Sequence, residues 1–201
     1  MEYTYTQLED FIKQLYKRLS ISDPIEINMM EIADNLNIKL HFYDDGSTAI
    51  CRKSVFHIFI NERLTVQEKW QDFGHELCHV LRHEGSQNGM VKPFLYLQEN
   101  QAENFMYYFC VPTFMLLNFK ISSFLDVKAG IPFVVQNFNV TETFAEERLK
   151  RFKRQLLQSK SDAEHRAYME ALYPKSPPYS YETNAILKRL NMLLEKKGVR
   201  S

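Results

Sequence analysis

Cysteine is scarce: Cys51, Cys78 and Cys110 are an odd, widely separated set among 201 residues. They fit neither a disulfide framework nor a cysteine zinc knuckle, so reduced thiols buried in the core are expected at all three. Net charge is absent as well, with 25 Lys and Arg against 25 Asp and Glu, which excludes a whole-molecule field that would draw in nucleic acid or anionic lipid. No apolar run is long enough to cross a bilayer. The first residues, Met-Glu-Tyr-Thr-Tyr-Thr, lack the basic and apolar regions of a signal peptide, so a cytoplasmic protein is expected. No internal repeat is visible, and the one linker-like stretch is Tyr173 to Tyr181. What is present is ring-rich: 15 Phe and 11 Tyr accompany a single Trp, within an ordinary 45% hydrophobic composition. That excludes intrinsic disorder and suits one good-sized domain with at most a small appendage.

Hydrophobic periodicity places the elements. Leu8, Phe11, Ile12, Leu15, Tyr16 and Leu19 recur at steps of three and four, predicting an amphipathic helix that ends near Asp23-Pro24. A short helix follows from about Asn28. Alternation over Ile38 to Phe42, a turn at Asp44 to Ser47, a short extended Thr48 to Arg52 and a strong strand Val55 to Ile60 read as a small antiparallel meander. Thr65 and Glu68 make a capping box, so a long helix should run from Thr65 through His83, before the loop that begins at Glu84. Further helices are expected over Leu95 to Cys110, near Thr113, over Ile131 to Phe138, over Thr141 to Gln158, and in a last segment carrying Ile186, Leu187, Leu190, Leu193 and Leu194. Helices around one short sheet make the fold class α+β.

The chemistry is concentrated in His75-Glu76-Leu77-Cys78-His79. On a helix, residues four apart share a face, so both imidazoles can reach one divalent ion, Zn2+ above all. Glu76 can then serve as catalytic base, taking a proton from a metal-bound water and passing it to a leaving amine. Trp70, Phe73, Leu77, Val80 and Leu81 supply the core-facing stripe without help from the histidines. A third ligand must come from elsewhere. Glu99 and Glu103 lie four apart on the next helix, and spacing alone does not say which binds metal and which supports a ligating histidine. Small Ala102 between them allows close helix approach.

His75-Glu76-Leu77-Cys78-His79-Val80-Leu81-Arg82-His83, together with Glu99-Asn100-Gln101-Ala102-Glu103-Asn104-Phe105 ending at Val111-Pro112, resembles the ImmA/IrrE-type metallopeptidases over about residues 25–155. The resemblance implies a zincin-like helical core, Glu99 as third ligand, Glu103 as the supporting acid, and a narrow protein substrate, a helix-turn-helix repressor of a phage or mobile element. Val134 to Leu149 looks like the helix-turn-helix-like element such enzymes carry, giving a metallopeptidase domain over 1–158 with that element at about 130–158. Residues 159–201 would then be a helical extension. Departures are Cys78 in place of a common Gly, and Met106 and Tyr107 in place of small residues. The alternative function is a metal-binding regulatory module that sequesters a repressor or contacts DNA without proteolysis.

Donors to the oxyanion of a tetrahedral intermediate could come from Tyr96, Tyr107, Tyr108 or Arg82. His83 suits a supporting or substrate-contact role, and His41 and His57 suit satisfied polar positions in strands. The basic run Arg148, Lys150, Arg151, Lys153 and Arg154 reads as a solvated helix face, which argues against direct DNA binding.

Overall fold

The computed structural model describes residues 3–82, 91–118, 126–173 and 178–196 and has an α+β fold. The chain divides into two compact units, Met1–Ser159 and Lys160–Ser201. In the first unit, α1 (Gln7–Arg18) starts from a reciprocal cap in which the Glu9 carboxylate accepts the Thr6 N–H at 2.8 Å. Its inner face sends Ile12, Leu15 and Tyr16 into the core, where the Tyr16 hydroxyl donates to the Phe109 carbonyl at 2.8 Å. After α2 (Met29–Asn35) come β1 (Ile38–Tyr43), β2 (Thr48–Arg52) and β3 (Val55–Asn61).

The sheet is mixed rather than the expected antiparallel meander: the strand order is β1-β3-β2, with β1 parallel and β2 antiparallel to β3. Lys53 and Ser54, with φ of 50° and 61°, make the two-residue turn that pairs β2 with β3. The apolar β3 therefore takes the centre, with Ile58 and Ile60 fully buried. The Asp44 to Ser47 segment passes over the end of β3 to join the two outer strands, which lie about 10 Å apart, within reach of four residues.

Helix α3 (Val66–Arg82) starts from the expected box, the Glu68 carboxylate accepting the Thr65 N–H at 2.9 Å. It packs on α4 (Lys92–Cys110), which begins a turn earlier than expected because Pro93 falls in the first turn, where no amide proton is needed. His83 and the loop from Glu84 lie outside the described residues. Trp70, Phe73, Phe105 and Phe109 stack into the centre of the core, Phe105 and Phe109 at 5.5 Å between ring centroids. Cys78 and Cys110 are buried there, but Cys51 is exposed, because it sits near the end of the edge strand β2.

After α5 (Thr113–Asn118), α6 (Val127–Phe138) is capped by Asp126 and stopped by Asn139 at φ 51°. α7 (Glu142–Leu172) then runs nearly four turns past the expected end at Gln158, since no Gly or Pro interrupts it. In the second unit the rest of α7 is followed by α8 (Tyr181–Lys196), on which Ile186, Leu187, Leu190 and Leu193 are exposed. No helix among the described residues is long and apolar enough to cross a membrane.

The basic run of α7 is not a uniform solvated face. Arg148 is fully buried: its Nε donates to the Val111 carbonyl at 3.0 Å and its Nη2 to Thr113 Oγ1 at 2.7 Å. Its guanidinium lies 4.4 Å from the Tyr108 ring centroid. Thr113 in turn donates to the buried Glu9, which also accepts from Tyr3. The position carries a charge that the helical period turns inward, where a carboxylate and the open end of α4 receive it. Three of the others are paired at the surface: Lys150 with Glu146, Arg151 and Arg154 with Glu147.

Removing the cation leaves Glu9 buried without its compensating charge. Arg148→Met is therefore expected to lower the unfolding free energy by about 3–5 kcal/mol, with Glu9→Gln added to it recovering part of the loss. Urea denaturation of the three proteins measures this. An Arg148→Met protein as stable as the wild type would show that the buried cation contributes nothing to the fold.

Candidate active site

Glycine inside a helix costs about 1 kcal/mol relative to alanine, so Gly74, directly before His75, requires a reason. The reason is close approach. A methyl group on its Cα would lie 2.8 Å from Cys110 Sγ and 3.3 Å from a Phe109 ring carbon, both on α4. Ala102, fully buried, is the small residue on the α4 side. This contact brings the two helices near enough for their polar faces to meet above the core.

There His75 and His79 from α3 meet Glu99 from α4. The two imidazole Nε2 atoms are 3.2 Å apart, His75 Nε2 is 3.2 Å from one Glu99 oxygen, and His79 Nε2 is 3.6 Å from the other. One ligand atom from each residue can be chosen so that all lie within 4.8 Å of one another. Tetrahedral zinc with ligand bonds of about 2.0–2.1 Å needs ligand atoms about 3.3 Å from each other. The donor set and its spacing fit such an ion. Glu99 is the most open of the three, its side chain 45% exposed, which leaves one side of the cluster accessible.

Glu76, adjacent to His75 on α3, sits in a nearly closed position, 9% exposed. Burial first, and then the charges of Asp72 and Glu99, push its carboxyl up to about 7, while a hydrogen bond from the Ala49 backbone N–H of β2 acts in the opposite direction. Asp72, one turn earlier on α3, accepts the Ser47 hydroxyl at 2.6 Å. The sheet thus holds the helix at Asp72 and acts on Glu76 through its backbone.

Cys78 is buried, and its thiol is pushed up to about 12 by burial, so it is not a thiolate. Glu103 is exposed, and its charge acts on Tyr107. Tyr107 stacks on Phe144 with centroids 4.5 Å apart and lies under Arg151, and Tyr108 lies under Arg148. Both tyrosines are committed to packing against α7 and not to the cluster. Arg82 stacks on Phe11 of α1. Of the four candidate donors, Tyr96 is the one on the Glu99 face of α4, one turn away and 72% exposed. His41 and His57 hydrogen-bond each other at 2.9 Å on the sheet. An open hollow between α6 and α7, lined by Val127, Glu147, Lys150, Lys153 and Arg154, has its carboxylate already engaged by arginines.

Ala49, Asp72, Ser47 and Gly74 are the site residues that motif reading missed. A backbone amide leaves no mark in sequence. Gly74 did leave one, a glycine in a helix immediately before a ligand-type histidine.

Comparison with known proteins gives this arrangement a family. The model of the IrrE N-terminal-like domain, a peptidase family, matches residues 33–150. The chain belongs to that family. The chain is 40% identical to the phage-like element PBSX protein XkdA of Bacillus subtilis (strain 168) over 177 residues, 88% of this chain and 86% of the relative. It is 37% identical to YqaB of the same organism over 158 residues, 79% of this chain and 91% of that one. The IrrE-like fold also resembles a solved Mycobacterium tuberculosis transcriptional regulator, with a TM-score of 0.52 at 12% identity. That match takes in 71% of this chain and 46% of that chain, and it speaks to the fold alone. Family membership makes the chain a peptidase with a protein substrate.

A side chain at Gly74 should push α3 from α4. Gly74→Ala is expected to cost about 1–3 kcal/mol of stability through overpacking, and Cys110→Ala in the same chain to recover most of it. Chemical denaturation reads both. A Gly74→Ala protein with unchanged stability would remove the contact as the element that sets helix spacing.

Proposed function

We propose that this chain is a zinc-dependent endopeptidase of the cytoplasm that cuts one specific protein, a helix-turn-helix repressor of a phage or mobile element. The observation that carries the reading is the convergence of His75, His79 and Glu99 beside a buried, charge-crowded Glu76. In this reading His75, His79 and Glu99 hold the ion and Glu76 is the base. A bound zinc ion would lower the pKa of water and polarise the scissile carbonyl.

The chain's own residues do the rest. Glu76 is 9% exposed, so the group is confined before any substrate arrives. Glu76 accepts a proton from water and returns it to the leaving amine, a task suited to a carboxyl pushed toward neutrality. β2 lies at the edge of the described sheet, and its Ala49 backbone acts on Glu76. An extended peptide can add to that edge, with backbone hydrogen bonds setting its position. Tyr96 stands on the open side as donor to the developing oxyanion. Proteolysis confined to one protein follows from the small sheet, which offers little surface for holding an arbitrary peptide, so binding energy must come from contacts remote from the cut.

The repressor follows from family resemblance and from the phage-like element to which XkdA belongs. A role confined to metal-dependent sequestration gives no use to a buried Glu76, and the engaged arginines of α7 offer little to DNA.

The purified protein is expected to hold about one zinc per chain, with His75→Ala, His79→Ala and Glu99→Ala each abolishing stoichiometric binding and Glu103→Ala keeping it. Elemental analysis decides, and full zinc in the Glu99→Ala protein would remove Glu99 as a ligand.

Glu76→Gln should retain zinc and fold yet lose at least about 100-fold in cleavage, since an amide cannot accept the water's proton. The assay is co-expression with repressors encoded at the same locus and detection of a cut fragment. Undiminished cutting by Glu76→Gln would overturn the mechanism, and relief of repression without any fragment would favour sequestration.

A further inference from the structure

Ser47 is a small polar residue at the end of a turn, with nothing in the sequence to single it out. In the structure its hydroxyl is a three-way junction. It donates to Asp72 Oδ2 on α3 at 2.6 Å and accepts the N–H of Asn61, the last residue of β3, at 3.1 Å. It also stands immediately before β2, whose first residue is Thr48. One oxygen therefore fixes the start of the edge strand to both the end of the central strand and the helix that carries the histidines.

Two residues along β2, the Ala49 backbone acts on the Glu76 carboxyl. Asp72 and Glu76 are one helical turn apart, so β2 runs beside the turn of α3 that carries both carboxylates. Among the described residues β2 has no strand on its other side, so no further described ladder holds that edge. The remaining pairing is to β3, which fixes register along the sheet but not the height of the edge against α3.

We propose that the Ser47–Asp72 hydrogen bond is a positioning element for substrate: it seats the β2 edge at a fixed height against the catalytic helix, so that an extended peptide added to the edge meets the reactive centre. Ser47 and Asp72 are positioning residues in this role. They touch neither substrate nor ion and act through the strand between them. The proposal rests on the peptidase reading of the site. The strand seating itself can be measured without turnover.

Two measurements test it on the full chain. Amide hydrogen exchange followed by mass spectrometry should show residues 48–52 exchanging faster by about tenfold or more in Ser47→Ala and Asp72→Ala, while α3 and zinc content stay as in the wild type. Ser47→Thr, which keeps the hydroxyl, and Asp72→Asn, which keeps an acceptor oxygen, should restore protection. In cleavage assays Ser47→Ala should raise KM about tenfold with kcat changed less than about threefold, the pattern of lost binding shared by ground and transition states. Ser47→Thr should return KM to near the wild-type value. Unchanged exchange at 48–52 in both alanine variants, or a loss in kcat alone with KM unmoved, would overturn the proposal. An inactive wild type with the expected exchange pattern would instead overturn the peptidase reading and leave the tether established.

Discussion

The approach of α3 to α4 at Gly74 is the constraint on which the rest of the site depends. Histidine side chains on one helix can reach a carboxylate on another only if the backbones come close, and a missing Cβ at Gly74 against Cys110 and Phe109, with Ala102 buried nearby, provides that approach. The aromatic core beneath, Trp70, Phe73, Phe105 and Phe109, gives the two helices a rigid common floor. The far end of α4 is held separately. Arg148 takes the carbonyl of Val111 and reaches the buried Glu9 through Thr113, so α1, α4 and α7 share one polar junction under the site.

Above that scaffold the electrostatics run against stability. Asp72 and Glu99 crowd acidic charge around the buried Glu76 carboxyl, and two imidazole nitrogens face each other at 3.2 Å. A fold selected for stability alone would separate these groups. Here the sheet and the helix pair keep them together, and a cation among the histidines and Glu99 would reconcile them. On the sheet side the Ser47 hydroxyl donates to Asp72, and the Ala49 backbone acts on Glu76.

Much of this was legible in the chain. The capping box at Thr65 and the stripe from Trp70 to Leu81 fixed where α3 starts and which face it buries, and the four-residue spacing placed both histidines on the other face. Glu99 was one of two equivalent acids by spacing, and resemblance chose between them; the structure sets Glu99 against the imidazoles and leaves Glu103 exposed. What was not legible came from tertiary pairing. Strand direction depends on whether a four-residue link turns back or passes over a neighbour, and the local signals for the two are the same. Burial of Arg148 depends on Glu9, distant in sequence. Tyr107 and Tyr108 read as candidate donors because their hydroxyls are chemically suitable, yet α7 claims both rings.

The most direct test of the account is anomalous diffraction at the zinc edge from crystals of the zinc-loaded wild-type chain. One peak per chain is predicted, bonded at about 2.0–2.2 Å to His75 Nε2, His79 Nε2 and a Glu99 oxygen. No peak at that position, or a peak bonded to Glu103 in place of Glu99, would contradict it.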